Sequence, residues 1–396
     1  MTCPPILFPK RVMTHLQSKL PEVGTTIFTV MSQLASEHHA VNLGQGFPDF
    51  ECPVLLRDAL AKAMRDGHNQ YAPMIGLPAL REQIAVKTQQ WYGRVIDANA
   101  EVTITSGATE AIFAAVAATV RSGDEVIVLD PCYDSYEPAI ELNGGRAVHV
   151  PLRETDFSVN WQDVAKAITP RTRLLILNTP HNPTGAVLQT EDLDALAAVL
   201  RDTNVMVLSD EVYEHIIFDD QQHQSLSRHA ELAQRSFIVS SFGKTFHCTG
   251  WKVGYCIAPP ALTAEFRKVH QYLTFSTFTP AQHALATALE QMPDHHQQLR
   301  AFYQERRDRL RTLLSVSRFH LLPVAGAYFQ LADFTAIAPD MNDVAFCHQL
   351  VREHGVAAIP LSVFHANPPP QQKLIRFCFA KTDAVLEAAA ARLCSL

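Results

Sequence analysis

No stretch of this 396-residue chain approaches about 18 uninterrupted apolar residues, so a membrane-spanning helix is not expected. The opening residues also lack the long apolar run of an export signal. No CxxC pair occurs among the eight cysteines, which are scattered as Cys3, Cys52, Cys132, Cys248, Cys256, Cys347, Cys378 and Cys394. Several lie in apolar runs and read as reduced core thiols of a cytoplasmic protein. Positive charge is not in excess either: 33 Lys and Arg against 40 Asp and Glu give a net charge of −7. That balance argues against nucleic acid or an anionic membrane as a partner. No low-complexity tract and no repeat with a period of roughly 20–50 residues is present, which removes solenoids and propellers. The pairs His38-His39 and His295-His296 fall in polar, helical surroundings. Neighbouring residues point apart on a helix, so metal ligation by them is not expected.

The composition that remains, 47% hydrophobic and 18% charged, is that of an ordinary globular protein with an ample core, and the length allows two or three domains. Residues 1–24 are proline-rich and irregular, an arm on the surface or across a subunit boundary. A helical pattern follows through Ile27, Met31, Leu34 and Ala35, and glycine and proline then break the chain over 41–50. From Leu174 strands and helices alternate: strand 174–177, helix 191–201, strand 205–208, strand 237–240, strand 253–258. Such alternation predicts an α/β fold with a mostly parallel sheet covered on both faces. After about residue 285 the pattern changes to long helical stretches, such as 298–314, and short strands at 327–331, 356–359 and 374–379. A domain boundary is expected there.

Polar residues gather at the ends of the predicted strands. Leu174-Leu175-Ile176-Leu177 runs into Asn178-Thr179-Pro180-His181-Asn182-Pro183-Thr184-Gly185. Val205-Met206-Val207-Leu208 runs into Ser209-Asp210-Glu211-Val212-Tyr213, and Phe237-Ile238-Val239 into Ser240-Ser241-Phe242-Gly243-Lys244. Strand ends are where a doubly wound sheet opens its ligand crevice. An amide, a carboxylate with a phenol three residues on, and a lysine are what holding pyridoxal phosphate requires. The carboxylate keeps the pyridine nitrogen protonated, the lysine binds the aldehyde, and the amide and phenol reach the ring's phenolate oxygen. The Ser106-Gly107-Ala108-Thr109 turn opens an apolar helix, a suitable anion seat although a common pattern. Tyr133 ends another strand, where an aromatic can stack on a flat ring. Arg376 is the one charge in the apolar run 374–379. It must be paired or face a site, as a salt bridge or as a bidentate grip on a carboxylate.

Asn-Pro-Thr-Gly (182–185), Ser-Asp-Glu-Val-Tyr (209–213), Ser-Phe-Gly-Lys-Thr-Phe (241–246) and Gly-Trp-Lys-Val-Gly-Tyr (250–255) together resemble the fold-type I, class I/II aminotransferases. The resemblance runs from about Val23 to the C-terminus and is closest to the kynurenine and methionine aminotransferase subgroup, within it to the bacterial methionine enzymes. It implies an aspartate-aminotransferase-like fold, with a large pyridoxal phosphate-binding domain over 50–285. A smaller α+β domain would be built from both chain ends, 25–49 plus 286–396. It also implies a catalytic Lys244 with Asp210 and Tyr213. Cofactor contacts would come from Gly107, Ala108, Thr109, Tyr133, Asn182, Ser241 and Lys252, and from Tyr71 reaching across a homodimer. The substrate would meet Gly46, Asn182 and Arg376, the last on its α-carboxylate. Lys252 departs from the arginine common in the wider family but is shared by the kynurenine-type subgroup.

Aromatic residues near the expected entrance, Phe28 and Phe275 among them, suit methionine or aromatic side chains. The expected reaction is ping-pong transfer of the amino group of methionine to a 2-oxo acid. A kynurenine/glutamine-type aminotransferase or a cysteine-conjugate β-lyase would use the same scaffold. A non-catalytic regulatory domain is disfavoured, because only about forty residues precede Gly44, with no helix-turn-helix pattern.

Overall fold

The computed structural model describes residues 16–396; of the expected arm, residues 1–15 lie outside it, and Cys3 with them. Residues 16–26 run without helix or strand up to Thr26, whose hydroxyl caps the Ile27–Glu37 helix. In chain order the strands are β1 (Val41–Asn42), β2 (Val102–Thr105), β3 (Glu125–Asp130), β4 (Arg146–Pro151), β5 (Thr172–Asn178), β6 (Met206–Asp210) and β7 (Ser236–Ser241). They continue as β8 (Gly254–Ile257), β9 (His320–Leu321), β10 (Phe329–Asp333), β11 (Val356–Ala357), β12 (Ile359–Pro360) and β13 (Leu374–Cys378).

Seven strands form one sheet in the order β2-β8-β7-β6-β5-β3-β4. The run from β4 to β7 pairs in parallel, and only β8 runs against its neighbours. The alternation of strands and helices had predicted a mostly parallel sheet. β4 was not anticipated from the sequence; it is a six-residue edge strand with arginine and proline at its exposed ends. Both faces of the sheet are covered, and the pleat sorts the residues between them. Ile127, Leu175, Leu177, Val207 and Ile238 join one apolar core, while Val126, Val128, Leu174, Ile176, Leu208 and Val239 join the other. Near-continuous apolar strands are what a sheet buried on both sides needs.

A third core surrounds the four-stranded antiparallel sheet β12-β13-β10-β9. It takes Met31, Ala35 and Leu43 from early in the chain, and Tyr213, Ile216 and Phe218 from the turn after β6. β1 pairs in parallel with β11, tying the early segment to the late one.

A buried ion-pair hub pins the turn after β6. Glu214 lies 2.6 Å from Lys87 Nζ and accepts from Ser240 Oγ and Tyr255 Oη, each at 2.6 Å. Burial alone would raise its pKa, but the Lys87 ammonium holds the carboxyl well below its ordinary value. The neighbouring residue is Tyr213, so the hub fixes where that phenol can stand.

The second pair of adjacent histidines lies in a helix among polar sequence neighbours, yet is turned inward. His295 and His296 are both buried. His295 Nε2 bonds the Thr245 carbonyl at 2.7 Å, and the His296 ring stacks on His215 at 3.9 Å. Their sequence neighbours are polar, but this face of the His295–Leu313 helix is turned inward. Burial pulls the pKa of His296 down to about 3, so it folds as the neutral ring. A depressed histidine stabilises above the unfolded value near 6.5, and that contribution is lost as pH falls toward the folded one. Between pH 7.5 and 5, His296 alone should cost about 2 kcal/mol of stability. Urea unfolding at the two pH values should show a lower midpoint at pH 5, with the difference reduced in His296→Gln. Equal midpoints would contradict neutral burial.

Candidate active site

Parallel pairing aligns the carboxyl ends of the strands along one edge of the large sheet. Asn178 is opposite Asp210 and Asp210 opposite Val239, while Ser241 and Thr105 both face Gly254. Gly254 has to be glycine: a Cβ there would stand 2.8 Å from the Ser240 oxygen and 2.9 Å from the Ala108 nitrogen. The turns leaving this edge enclose a cavity of about 270 Å³. Phe28, Gly46, Gly107, Ala108, Thr109, Tyr133, Asn182, Asp210, Tyr213, Ser241, Lys244, Lys252 and Arg376 all line it. Of the residues proposed from sequence, Tyr71 and Phe275 do not. They form an exposed edge-to-face pair, 5.2 Å between ring centres, away from the cavity of their own chain.

Lys244 sits in the short Phe242–Thr245 helix directly after β7. Its Nζ donates to Tyr328 Oη at 2.8 Å and to the Gly46 carbonyl at 3.2 Å, and Tyr328 Oη in turn donates to Gly46 at 2.6 Å. Burial lowers its pKa to about 8, so a sizeable fraction is free amine near neutrality. Tyr328 was missed because it stands in an apolar strand pattern where its hydroxyl gave no signal.

Asp210 ends β6, fully enclosed. Burial raises its pKa to about 6, against the opposing pull of a 2.7 Å hydrogen bond from Tyr136 Oη. Tyr136 is thus both a core residue and the orienting donor of Asp210, a role the sequence did not disclose. Asn178 holds the same edge together: its Nδ2 donates to the Asp210 carbonyl and its Oδ1 accepts from the Asn182 backbone.

Arg376, in β13, is 1% exposed. It donates through Nη1 to Asn182 Oδ1 at 2.6 Å and through Nη2 to the Gly44 carbonyl at 3.3 Å, while Nε is buried without a partner. Its guanidinium lies 4.0 Å over the Phe329 ring and 5.3 Å over Phe28. Burial lowers its pKa to about 10, which leaves it charged. Gly46 lets the backbone pass close by, since a Cβ there would approach Phe329 to 3.3 Å and Arg376 Nη2 to 3.8 Å.

The opposite end of the cavity is an anion seat. The Gly107–Thr119 helix begins with Gly107 at φ +75°, and its N-cap Ser106 makes no side-chain capping bond. First-turn N–H groups of such a helix lack internal acceptors, and the helix dipole favours negative charge there. Lys252 brings its Nζ to 3.1 Å from where a Gly107 Cβ would be, and Ser241 and Thr109 add hydroxyls. One cavity therefore holds a buried cation with a vacant donor at one end and an anion seat at the other. Between them stand an amine and a carboxylate.

The family model for class I and II aminotransferases matches residues 38–393. A methionine aminotransferase of Escherichia coli is 55% identical over 377 residues, covering 95% of this chain and 97% of that protein. The kynurenine–oxoglutarate transaminase of Dictyostelium discoideum is 35% identical over 96% of this chain and 97% of its own. Among solved structures, an Escherichia coli protein identified as having a methionine aminotransferase function superposes with a TM-score of 0.95. It is 55% identical, with 97% of this chain and all of that one covered.

In cofactor-free protein, Lys244 should react with an amine reagent with a midpoint near pH 8, well below the other lysines. In Tyr328→Phe the ammonium loses an acceptor, so the midpoint should move lower still. Peptide mapping of the label against pH reads both; a Lys244 midpoint near 10.4 would contradict the geometry.

Proposed function

The chain belongs to the class I and II aminotransferases, and from that premise we propose that it moves the amino group of methionine, and of aromatic amino acids, to a 2-oxo acid. Pyridoxal 5′-phosphate would be held by Lys244. The chemistry of the cavity supports that cofactor. Its phosphate suits the seat formed by Gly107, Ala108, Thr109, Ser241 and Lys252. Asp210, a carboxylate with no cation at hydrogen-bonding distance, suits a protonated ring nitrogen, which would reverse the upward push on its pKa. Tyr133 would stack on the ring, and Asn182 and Tyr213 would donate to its phenolate oxygen. When bound, the cofactor supplies an electron sink for the charge left by removing the α-proton.

Each remaining task falls to a residue of this chain. Arg376, with Asn182 beside it, offers its planar fork to the substrate's α-carboxylate; the partnerless Nε is the observation that carries this reading. Lys244, as a free amine, would take the α-proton and return it to the carbon on the far side of the substrate's nitrogen. Tyr328 and the Gly46 carbonyl hold that amine in place. Phe28, Phe47 and Phe329 make an apolar, aromatic wall suited to a thioether. Arg376 is the only arginine among the described lining residues, which disfavours a donor with a second, distal carboxylate. Kynurenine-type donors fit the same aromatic wall and are the second reading.

Tyr71, exposed on its own chain, is assigned to the phosphate of a neighbouring subunit in a cytoplasmic homodimer. No helix among the described residues is long and apolar enough to cross a membrane.

With methionine varied at several fixed concentrations of a 2-oxo acid, initial rates should give the parallel reciprocal lines of a ping-pong cycle. Aspartate should be a poor donor. Arg376→Gln should raise KM for methionine roughly 10- to 150-fold through the lost charge-assisted bonds. Lys244→Ala should abolish turnover. Pyruvate, ammonia and a thiol from cysteine conjugates, without transfer from methionine, would overturn the assignment.

A further inference from the structure

Outside the cavity, three chemically different metal donors meet at the end of β3. Asp130, Cys132 and His149 bring a carboxylate oxygen, a thiol sulfur and a ring nitrogen within 4.8 Å of one another. A fourth donor, His365, follows the turn at Ser362–Phe364 and places Nδ1 3.2 Å from Asp130 Oδ2. We propose that Asp130, Cys132 and His149, completed by His365, form a binding site for a divalent transition-metal ion of the zinc class.

The spacing suits such an ion. His149 Nδ1 lies 3.3 Å from Asp130 Oδ1, yet neither ring nitrogen of His149 makes a hydrogen bond. Two ligands about 2.05 Å from a tetrahedral ion stand roughly 3.4 Å apart, with sulfur edges slightly longer. The His149–Asp130 separation already matches such an edge and the three donors lie within 4.8 Å of one another, while His365, which now meets the other Asp130 oxygen, would swing in as the fourth ligand. The donor set also selects the ion. Imidazole, thiolate and carboxylate together suit zinc, cobalt or nickel, whereas magnesium and calcium take oxygen ligands. Binding would release the Cys132 proton to solvent, and the thiolate with the Asp130 carboxylate would then offset the 2+ charge. The thiol needs that help, since burial first and the Asp130 charge second push its pKa up. Around the donors, Glu137 stands 3.5 Å from His149 Nε2, as the outer-shell carboxylate that orients a ligating imidazole. Ala366 N donates to Asp130 Oδ1 at 3.2 Å and Cys132 N to the Phe364 carbonyl at 2.8 Å, so the backbone already fixes the site.

Its place gives it a consequence. β3 and β4 belong to the large sheet, whereas the turn at 362–364 packs on the core of the smaller one through Phe364. An ion here would clamp the two layers together one residue before Tyr133.

The holoenzyme should be titrated with Co2+, whose tetrahedral complexes absorb in the red, clear of the cofactor, and with Zn2+ by calorimetry. The expected result is one tight equivalent per chain and intense red bands. Release of one proton and a higher melting temperature should accompany them. Cys132→Ser and His149→Gln should each weaken binding by ten- to a hundredfold and lose the bands, and His365→Gln should weaken it less. Melting without metal shows which variants fold, and His365→Gln, at the half-buried rim, serves if the others do not. No tight equivalent in the parent protein, or bands that survive in the folded variants because surface histidines carry them, would overturn the proposal.

Discussion

A guanidinium buried without a carboxylate partner is the constraint around which the structure is arranged. Arg376 stands in the middle of a strand that is otherwise apolar, and an isolated charge is costly to bury there. Three distant parts of the chain offset that cost. Asn182 comes from the turn after β5, the Gly44 carbonyl from the segment after β1, and the aromatic faces from Phe329 and Phe28. None of these neutralises the charge, and Nε is left without a partner. The cation is therefore left with an unpaired donor and no counter-ion among the described residues.

Lys244 and Asp210 follow the same logic with opposite signs. Burial drives each toward its neutral form, one to about 8 and the other to about 6. Neutral hydroxyls steady them: Tyr328 accepts from the ammonium, and Tyr136 donates to the carboxylate. A preorganised polar site of this kind gains most when charge develops on a bound group, because its dipoles need no rearrangement.

Much of this placement was legible in the chain. Polar residues directly after apolar strands could be placed on one sheet edge, because parallel pairing brings successive strand ends together. Asn182, Asp210 and Lys244 were found that way. The hydroxyls that orient them were not, since Tyr328 sits in an apolar run where a tyrosine reads as packing and Tyr136 lies three residues past the strand-end Tyr133. The burial of His295 and His296 was not legible either, because their sequence neighbours are polar although the helix turns that face inward. The cluster of Asp130, Cys132, His149 and His365 had no signal at all. Asp130 and Cys132 are near neighbours, but His149 and His365 join them only through the β3–β4 register and the packing of the later turn. Tyr71 and Phe275 are a different case, since their rings pair with each other on the surface and line no part of the cavity of their own chain.

The central claim is that Lys244 holds a cofactor which methionine converts to its amino form. The visible absorption spectrum of purified protein, recorded before and after adding methionine alone, tests it most directly. The account predicts a band from the lysine-bound cofactor that bleaches with methionine and returns with a 2-oxo acid. A protein that shows no band even after pyridoxal phosphate is supplied, or a band that methionine leaves unchanged, would contradict it.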